Sequence, residues 1–296
     1  MIAIRACSGL DELEACVQLQ IETWGYDPTD VLPRKSFLLA QKIGGQVLGA
    51  FDTERNGANP EGGPESLVGF VMAWPGVKAD GIFGEVRTDA GSSPGGDGAN
   101  GLPRAYLHSH MLAVREGYRN RGLGARLKLA QRADALARGI HHMEWTFDPL
   151  EIKNAYLNIH RLGAIVRRYE VNFYGVSSSR LQGGLPTDRL VAEWPLDSPR
   201  VEALVERRPA AALVPEERIQ TRIHVPASIY EWKASEAGRE RALGLQLENR
   251  GAFLEAFSQG LAVLGFTLDA HGNGTFELGH LTDSEAALNS KECKNL

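Results

Sequence analysis

Apolar and polar residues alternate with two different periods along the first part of the chain. "IAIRAC" has the period of two that is typical of a strand, and "SGLDELEACVQLQIETWG" spaces its apolar residues for a helix that ends at Gly25. "PRKSFLLAQKIGG" predicts a second helix, whereas "QVLGAFDT" and "SLVGFVMAWPG" predict the two strands of a hairpin. A glycine-rich segment, Thr88–Pro103, then predicts a mobile loop.

The middle of the chain continues with a strand, a helix and a second strand. Strict alternation in "AYLHSHMLAVR" predicts one face with two histidines and a more apolar opposite face. "GLGARLKLAQRADALARG" predicts the helix, and "HHMEWTF" predicts the next strand. The predicted strand faces are Tyr106, His108, His110 and Leu112 on one side, and Leu107, Ser109, Met111 and Ala113 on the other. The predicted apolar stripe of the helix is Leu123, Leu127, Ala130, Ala133, Ala137 and Ile140.

A further helix and two strands complete this pattern near Pro195. "DPLEIKNAYLNIHRLG" predicts a helix with Asp148 as its N-cap and Gly163 as its stop. "AIVRRYEVNFYG" and "RLVAEWPL" predict strands. The apolar stripe of the helix is Ile152, Ala155, Ile159 and Leu162.

The region after Pro195 has a separate pattern. It contains a connecting helix in "DSPRVEALVERRP", a strand in "TRIHVPASIYEWK", a long helical run, a hairpin that turns at "HGNG", and a frayed tail, "TDSEAALNSKECKNL". We therefore predict two domains, 1–195 and 196–296. The long helix is apolar enough to pack on the hairpin or to form a homodimer.

Composition excludes several classes of protein. The chain has 296 residues, is 43% hydrophobic and 23% charged, and carries a net charge of -5, which disfavours general binding to nucleic acid or membrane surfaces. Its three cysteines, Cys7, Cys16 and Cys293, lack metal-ligand spacing and indicate free thiols in a reducing compartment. No apolar run is long enough to span a membrane. We expect a soluble, cytoplasmic protein without a metal.

The stretch "YRNRGLGARLK" combines glycines with arginines where a strand passes into a helix. It lacks the Lys-Ser or Lys-Thr pair of a P-loop, and Leu127 stands where a dinucleotide fingerprint requires its third glycine. Two interpretations remain, a tight structural turn and an anion site made of backbone N–H groups at a helix start.

The pattern R-x-x-G-x-G from Arg119 to Gly124, after "MLAVR" and before a helix, resembles the acyl-CoA-binding motif of the GNAT acyltransferase superfamily. "LHSHMLAV", "WTFDPL", "NAYLNIHRLG", "NFYG" and "PTDRLVAEW" are similar to a branch with a C-terminal extension. The resemblance implies a GNAT fold of the α/β (α+β) class, with a central, mixed, mostly antiparallel sheet flanked by helices and a small C-terminal α/β extension. Its implied acyl-CoA-binding residues are Leu112, Ala113, Val114, Arg119, Asn120, Arg121, Gly122, Leu123, Gly124, Ala125, Asn154 and Asn158. The resemblance implies that the N–H groups from Arg121 to Ala125 face the CoA pyrophosphate, and that Arg119, Arg121 and Arg126 neutralise its charge.

The candidate residues for proton transfer do not follow the family's motif as closely as the acyl-CoA-binding residues do. His110 is the predicted base, because its ordinary pKa suits proton transfer near neutrality, although a core histidine is the alternative. The family's usual tyrosine acid falls at Ile159, and Tyr174 in the following strand is the predicted acid. Tyr156 and His160 are the other candidates for the acid, and none of the three aligns with the family's motif. Glu22 is a further candidate for the base.

The resemblance implies an acyl-CoA-dependent N-acyltransferase. The cosubstrate would be acetyl-CoA or another acyl-CoA such as succinyl-CoA, and a small amine or amino acid would attack the thioester directly. A catalytically degenerate protein that binds or senses acyl-CoA is the alternative.

Overall fold

The computed structural model of the chain describes residues 1–55, 62–78, 104–206 and 214–282. The loop predicted over 88–103, the tail after 282 and Cys293 lie outside these residues. The strands are β1 (Ile2–Ala6), β2 (Gln46–Asp52), β3 (Leu67–Lys78), β4 (Arg104–Val114), β5 (His142–Phe147), β6 (Ile165–Glu170), β7 (Arg189–Pro195), β8 (Thr221–Val225), β9 (Ala262–Leu268) and β10 (Gly274–Gly279). The α-helices are α1 (Gly9–Trp24), α2 (Arg34–Lys42), α3 (Leu123–Ala137), α4 (Ile152–Ala155), α5 (Pro199–Val205), α6 (Ile229–Ala234) and α7 (Glu236–Ser258).

All of these strands belong to one sheet, in the order β1-β2-β3-β4-β5-β7-β6-β9-β10-β8. Every neighbouring pair is antiparallel except β4 and β5, which run parallel. Helices cover the sheet, so the predicted fold class, a mixed and mostly antiparallel sheet flanked by helices, is confirmed. The predicted order of elements up to β7 is also confirmed.

Helices cover both faces of the first four strands. Helices α1 and α2 pack on one face, where Phe37 and Phe70 meet edge to face at the centre of a buried cluster. Helix α3 packs on the opposite face through Leu123 and Leu127. These two faces are called the α1 face and the α3 face below.

A β-bulge in β4 interrupts the predicted alternation of faces. Met72 of β3 pairs with Met111, and the next residue, Ala73, pairs with Ser109, so His110 has no opposite residue in β3. Ser109 and Leu112 contact residues of α3, whereas Met111 packs in the cluster beneath α1 and α2. The prediction that His110 and Leu112 share a face is therefore wrong. One extra residue reverses the side on which each following residue lies.

The buried side of α3 also differs from its predicted stripe. Ala133 and Ala137 are exposed, whereas Ala135 is buried. Lys128 and Gln131 are buried as well, although both are polar. The helix therefore presents two polar side chains to the sheet, and a stripe of apolar residues alone could not indicate them.

The helix predicted from Asp148 begins later and changes its winding. Asp148 accepts a hydrogen bond from the N–H of Leu150 and forms an ion pair with Lys233, so it is not the N-cap, and α4 starts at Ile152. The helix then continues as a π-helical turn over Tyr156–Arg161. The predicted stripe of Ile152, Ala155, Ile159 and Leu162 is buried as expected.

The C-terminal region extends the same sheet. Val263 of β9 pairs with Val166 of β6, and the predicted hairpin of β9 and β10 is confirmed. A connecting helix is also present as α5. The domain boundary at residue 195 stays a prediction.

Candidate active site

A wedge between β4 and β5 is the main feature of the middle of the sheet. The two strands are in register at Leu107 with Met143 and at His108 with Glu144. No further register pair joins their described residues, so Ser109–Val114 and Trp145–Phe147 diverge from this point. The bulge at His110 falls just beyond the last pair. A wedge between two strands leaves backbone N–H and C=O groups available for an extended ligand.

The N-terminus of α3 follows β4 and provides further backbone donors. Asn120 and Gly122 have left-handed backbone, with φ of 60° and 75°, and turn the chain into the helix. The N–H of Arg126 donates to the carbonyl oxygen of Gly122 at 3.1 Å and is the first of the helical series. The three N–H groups before it, from Leu123 to Ala125, have no helical acceptor. These donors and the helix dipole favour an anion at this end.

Gly124 leaves space at this helix start. A Cβ atom added there would lie 3.6 Å from a methyl group of Leu112 and 3.7 Å from one of Leu157, which are ordinary contacts. Because glycine has no Cβ atom, a gap remains here between α3, β4 and the π-helical turn. The predicted residues Leu112–Val114 form the end of β4, and Arg119–Ala125 run from the connection into the first turn of α3.

The arginines of the motif are engaged differently from one another. Arg119 donates through Nε to the carbonyl oxygen of Val114 at 2.9 Å, and Arg126 donates to the carbonyl oxygen of Ile2 at 2.9 Å. Arg121 lies 5.9 Å from the centre of the Tyr118 ring and is exposed. Arg119 therefore ties the connection to the end of β4 and Arg126 ties α3 to β1, whereas the contact of Arg121 is with the Tyr118 ring.

The predicted base lies on the α1 face beside the wedge. The ring of His110 stacks on Trp74, with centroids 5.2 Å apart and planes 10° apart, and the His108 ring lies 6.2 Å away. Burial, together with the neighbouring His108, lowers the pKa of His110 to about 4. His110 is therefore neutral near pH 7 and can accept a proton from a bound group.

Glu144, which the sequence did not single out, is the centre of an ionic cluster on this face. It forms ion pairs with Lys78 and with Arg168, the latter at 3.0 Å, and faces His108 at 3.6 Å. Burial alone would raise its pKa, but bonds from His108 and Lys78 and the charge of Arg168 hold the pKa well below its ordinary value. Glu144 is thus a permanent carboxylate that orients its neighbours. An isolated glutamate in the strand pattern "HHMEWTF" gave no signal of these partners.

The predicted acid Tyr174 and the predicted asparagine pair lie in positions that differ from those expected. Tyr174 lies in a turn after β6 and not in a strand, and its hydroxyl lies 2.9 Å from Oγ1 of Thr146 on β5. Asn154 is exposed and Asn158 is buried, so they do not form the shared helix face that was predicted. The π-helical turn, which begins between them, has more residues per turn than an α-helix, so positions four residues apart no longer share a face. Tyr156 and His160 stack on each other with centroids 4.5 Å apart.

The sequence also did not predict three contacts of polar side chains at the closed end of the wedge, where β4 and β5 begin to separate. Lys128 Nζ donates to Oγ of Ser109 at 2.7 Å and lies 3.6 Å from the centre of a ring of Trp145. The Ser109 hydroxyl in turn donates to Oε1 of Gln131 at 2.9 Å. A lysine inside the apolar stretch "LGARLKLAQ" was the only sign in the sequence.

Two features bear on the other predictions from composition. Cys7 and Cys16 are buried free thiols with sulfurs 3.8 Å apart, so free thiols are confirmed for this pair. Within the described ranges, no helix is long and apolar enough to cross a membrane, and no group of three side chains is arranged to hold a metal ion. The cytoplasmic location and the homodimer stay predictions.

The low pKa of His110 has a measurable consequence. Between pH 6.5 and 4 the unfolded chain takes up a proton at His110 that the folded chain refuses, so the free energy of unfolding should fall as the pH falls. The expected loss at this residue is on the order of 3 kcal/mol. Histidine NMR signals titrated with pH would give the pKa, and urea unfolding would give the stability.

His110→Asn is the matched variant, and it should flatten part of this pH dependence. The remainder should persist because burial also lowers the pKa of His142 to about 4. A His110 pKa near 6.5 in the folded wild type would contradict the packing against Trp74 described above.

Comparisons with known proteins gave structural matches only. No family model matches the chain, and no curated protein matches its sequence. Among solved structures, Arabidopsis thaliana NAA60 in complex with acetyl-CoA is 19% identical, with 66% of this chain and 99% of that chain covered and a TM-score of 0.47. YncA from Salmonella typhimurium with acetyl-CoA is 15% identical, with 67% and 95% covered and a TM-score of 0.44. An N-acetyltransferase from Staphylococcus aureus Mu50 is 14% identical, with 67% and 99% covered and a TM-score of 0.44.

Proposed function

We propose that the protein is an acyl-CoA-dependent N-acyltransferase that acts on a small amine or amino acid. The observation that carries this proposal is the wedge between β4 and β5, with the N-terminus of α3 at its open end. Together they offer an anion site and an extended row of backbone groups in one line. CoA has the matching shape, a pyrophosphate followed by a long arm with amide groups.

The residues of the α3 face would bind the cosubstrate. The N–H groups from Leu123 to Ala125 bind the pyrophosphate, and Arg121 adds a charge-assisted contact. The amides of the CoA arm pair with main-chain groups of Leu112–Val114 in the manner of an added strand. A backbone N–H beyond them polarises the thioester carbonyl.

The residues of the α1 face would serve the acceptor. The amine enters beside the stacked rings of His110 and Trp74 and attacks the thioester carbonyl directly. Neutral His110 takes a proton from the attacking nitrogen, and Tyr174, held next to Thr146, supplies one to the leaving thiolate.

The alternative is a protein that binds acyl-CoA without turnover. Two observations favour it. The family's tyrosine position holds Ile159, which is fully buried, and a histidine of pKa about 4 is a weak base for an amine.

Two measurements on the wild-type chain separate these functions. Calorimetric titration with CoA and acetyl-CoA should give one site per chain, and release of free thiol from acetyl-CoA in the presence of a panel of amines and amino acids should report turnover. Binding with turnover supports the enzyme, and binding without turnover for every acceptor supports the alternative. No binding of any CoA species would refute both.

A further inference from the structure

The outer face of the long helix α7 leaves two leucines exposed. The inner face of this helix packs on the sheet through buried residues such as Asn249 and Phe253. On the opposite side, Leu247 and Leu254 lie seven residues apart, and they are 48% and 43% exposed. Two exposed leucines in line along one helix make an apolar surface whose burial against another apolar surface is favourable.

Two glycines alternate with these leucines. They are Gly244 and Gly251, and each comes three residues before one of the leucines. A glycine inside a helix costs roughly 1 kcal/mol relative to alanine. Gly238 of the same helix has a reason within the chain, because an added Cβ would lie 2.5 Å from the backbone of α6. At the other two an added Cβ would meet nothing within 4 Å, so no described part of the chain requires glycine there.

The glycines and leucines together form a strip, Gly244, Leu247, Gly251 and Leu254, that is complementary to itself when the helix is reversed. The four positions follow the seven-residue repeat with which two helices pack together. In a second, antiparallel copy of α7 with the two-fold axis at the level of Asn249, Gly244 faces Leu254 of that copy. In the same arrangement Leu247 faces Gly251 of that copy. Each leucine then enters the space above a glycine, and the helix axes can approach to roughly 8 Å.

The charged residues beside the strip are matched across the same axis. Arg241, Glu248 and Glu255 lie seven residues apart along one flank of the strip, and all three are exposed. The reversed copy brings Arg241 of each chain beside Glu255 of the other. Among the described residues these two have no ion-pair partner within their own chain, since Arg241 stacks on Trp232 and Glu255 accepts a hydrogen bond from Gln259. Glu248 lies at the axis and meets its own copy, which is the one repulsive contact of this flank.

We infer that the outer face of α7 is an interaction surface for a second copy of this chain, paired antiparallel about Asn249. The strip spans about 15 Å of each helix, which gives a contact smaller than a standard interface of ~1,600 Å². The dimer is therefore weak and forms in a concentration-dependent manner. The inference is independent of the proposed function, because the anion site is built from α3 and β4.

Sedimentation velocity of the full chain between ~1 and ~100 μM tests this inference. The wild type should change from monomer to dimer over this range. Gly251→Gln should raise the Kd of the dimer at least ~10-fold, because glutamine fills the space that Leu247 of the second copy enters. Glutamine is also the better helix former, so the variant chain should resist urea at least as well as the wild type. Loss of the dimer would then not be a loss of folding.

Glu248→Gln tests the register of the pairing. It removes the like-charge contact at the axis, so it should lower the Kd of the dimer by roughly 3-fold at low salt and less at high salt. A variant with a folding defect would not strengthen a dimer. The matched control is Glu202→Gln at an exposed position of α5, which should leave the Kd unchanged.

Three outcomes would overturn the inference. The first is a wild-type chain that stays monomeric at ~100 μM. The second is a dimer with the same Kd in Gly251→Gln, since the copies would then meet through another surface. The third is a Kd that Glu248→Gln does not lower, which would exclude the antiparallel register about Asn249. None of these outcomes bears on the binding of CoA, so the proposed function stands or falls separately.

Discussion

Gly124→Glu is expected to lose affinity for CoA by on the order of 100-fold, or ~3 kcal/mol. Gly124 lies in the first turn of α3, between the N–H groups proposed to bind the pyrophosphate. A glutamate there fills the gap beside Leu112 and Leu157 and places a negative charge where two phosphates would lie. The measurement is calorimetric titration of both chains with CoA at one fixed salt concentration.

Two controls separate this effect from a loss of folding. Gly124→Ala adds a Cβ that meets Leu112 and Leu157 at ordinary distances, so it should fold and keep a measurable affinity. Gly251→Glu adds the same charge at an exposed helix position on α7, where a Cβ meets nothing within 4 Å, and it should bind CoA like the wild type. Wild-type affinity in a folded Gly124→Glu chain would exclude the N-terminus of α3 as the pyrophosphate site.

Arg250→Met is expected to lower the free energy of unfolding by about 3 kcal/mol. Arg250 of α7 contacts the fully buried carboxylate of Asp188 through Nε at 2.9 Å and Nη2 at 3.0 Å. The same carboxylate accepts from the Tyr169 hydroxyl at 2.6 Å and from the N–H of Asn172 at 2.9 Å. Loss of the guanidinium leaves a buried negative charge without its cation.

Urea unfolding monitored by circular dichroism measures this effect. Arg241→Met on the same helix is the matched control, because Arg241 is exposed and only stacks 4.3 Å from a ring of Trp232, so its loss should cost less than about 1 kcal/mol. If the stranded charge is the cause, adding Asp188→Asn to Arg250→Met should recover part of the stability. An Arg250→Met chain as stable as the wild type would contradict this explanation.

The Arg250 contact also connects the C-terminal region to the proposed site. Asp188 accepts a hydrogen bond from the N–H of Asn172. Tyr174 follows in the same turn, and its own N–H donates to Oγ1 of Thr187 at 3.0 Å. The position of Tyr174 beside Thr146 therefore depends on α7. We expect Arg250→Met to disturb turnover more than CoA affinity, because the anion site is built from α3 and β4.

The sequence by itself determined the order of elements up to β7 and the tight glycine turn at the start of α3. These features depend on local patterns, namely periods of hydrophobicity and glycines that permit left-handed backbone at Gly122. The buried stripe from Ile152 to Leu162 was predictable for the same reason, because each residue's environment follows from its own helix.

The tertiary structure alone decided which polar side chains meet. A one-residue bulge at His110 reversed the faces of β4, and the π-helical turn separated Asn154 from Asn158, because neither irregularity follows from the periodic pattern. Glu144 joined Lys78 and Arg168 through pairing across strands distant in sequence. Lys128 reached Ser109 and Trp145 because α3 packs over the point where β4 and β5 diverge. Such contacts depend on where whole elements pack, which no local period encodes.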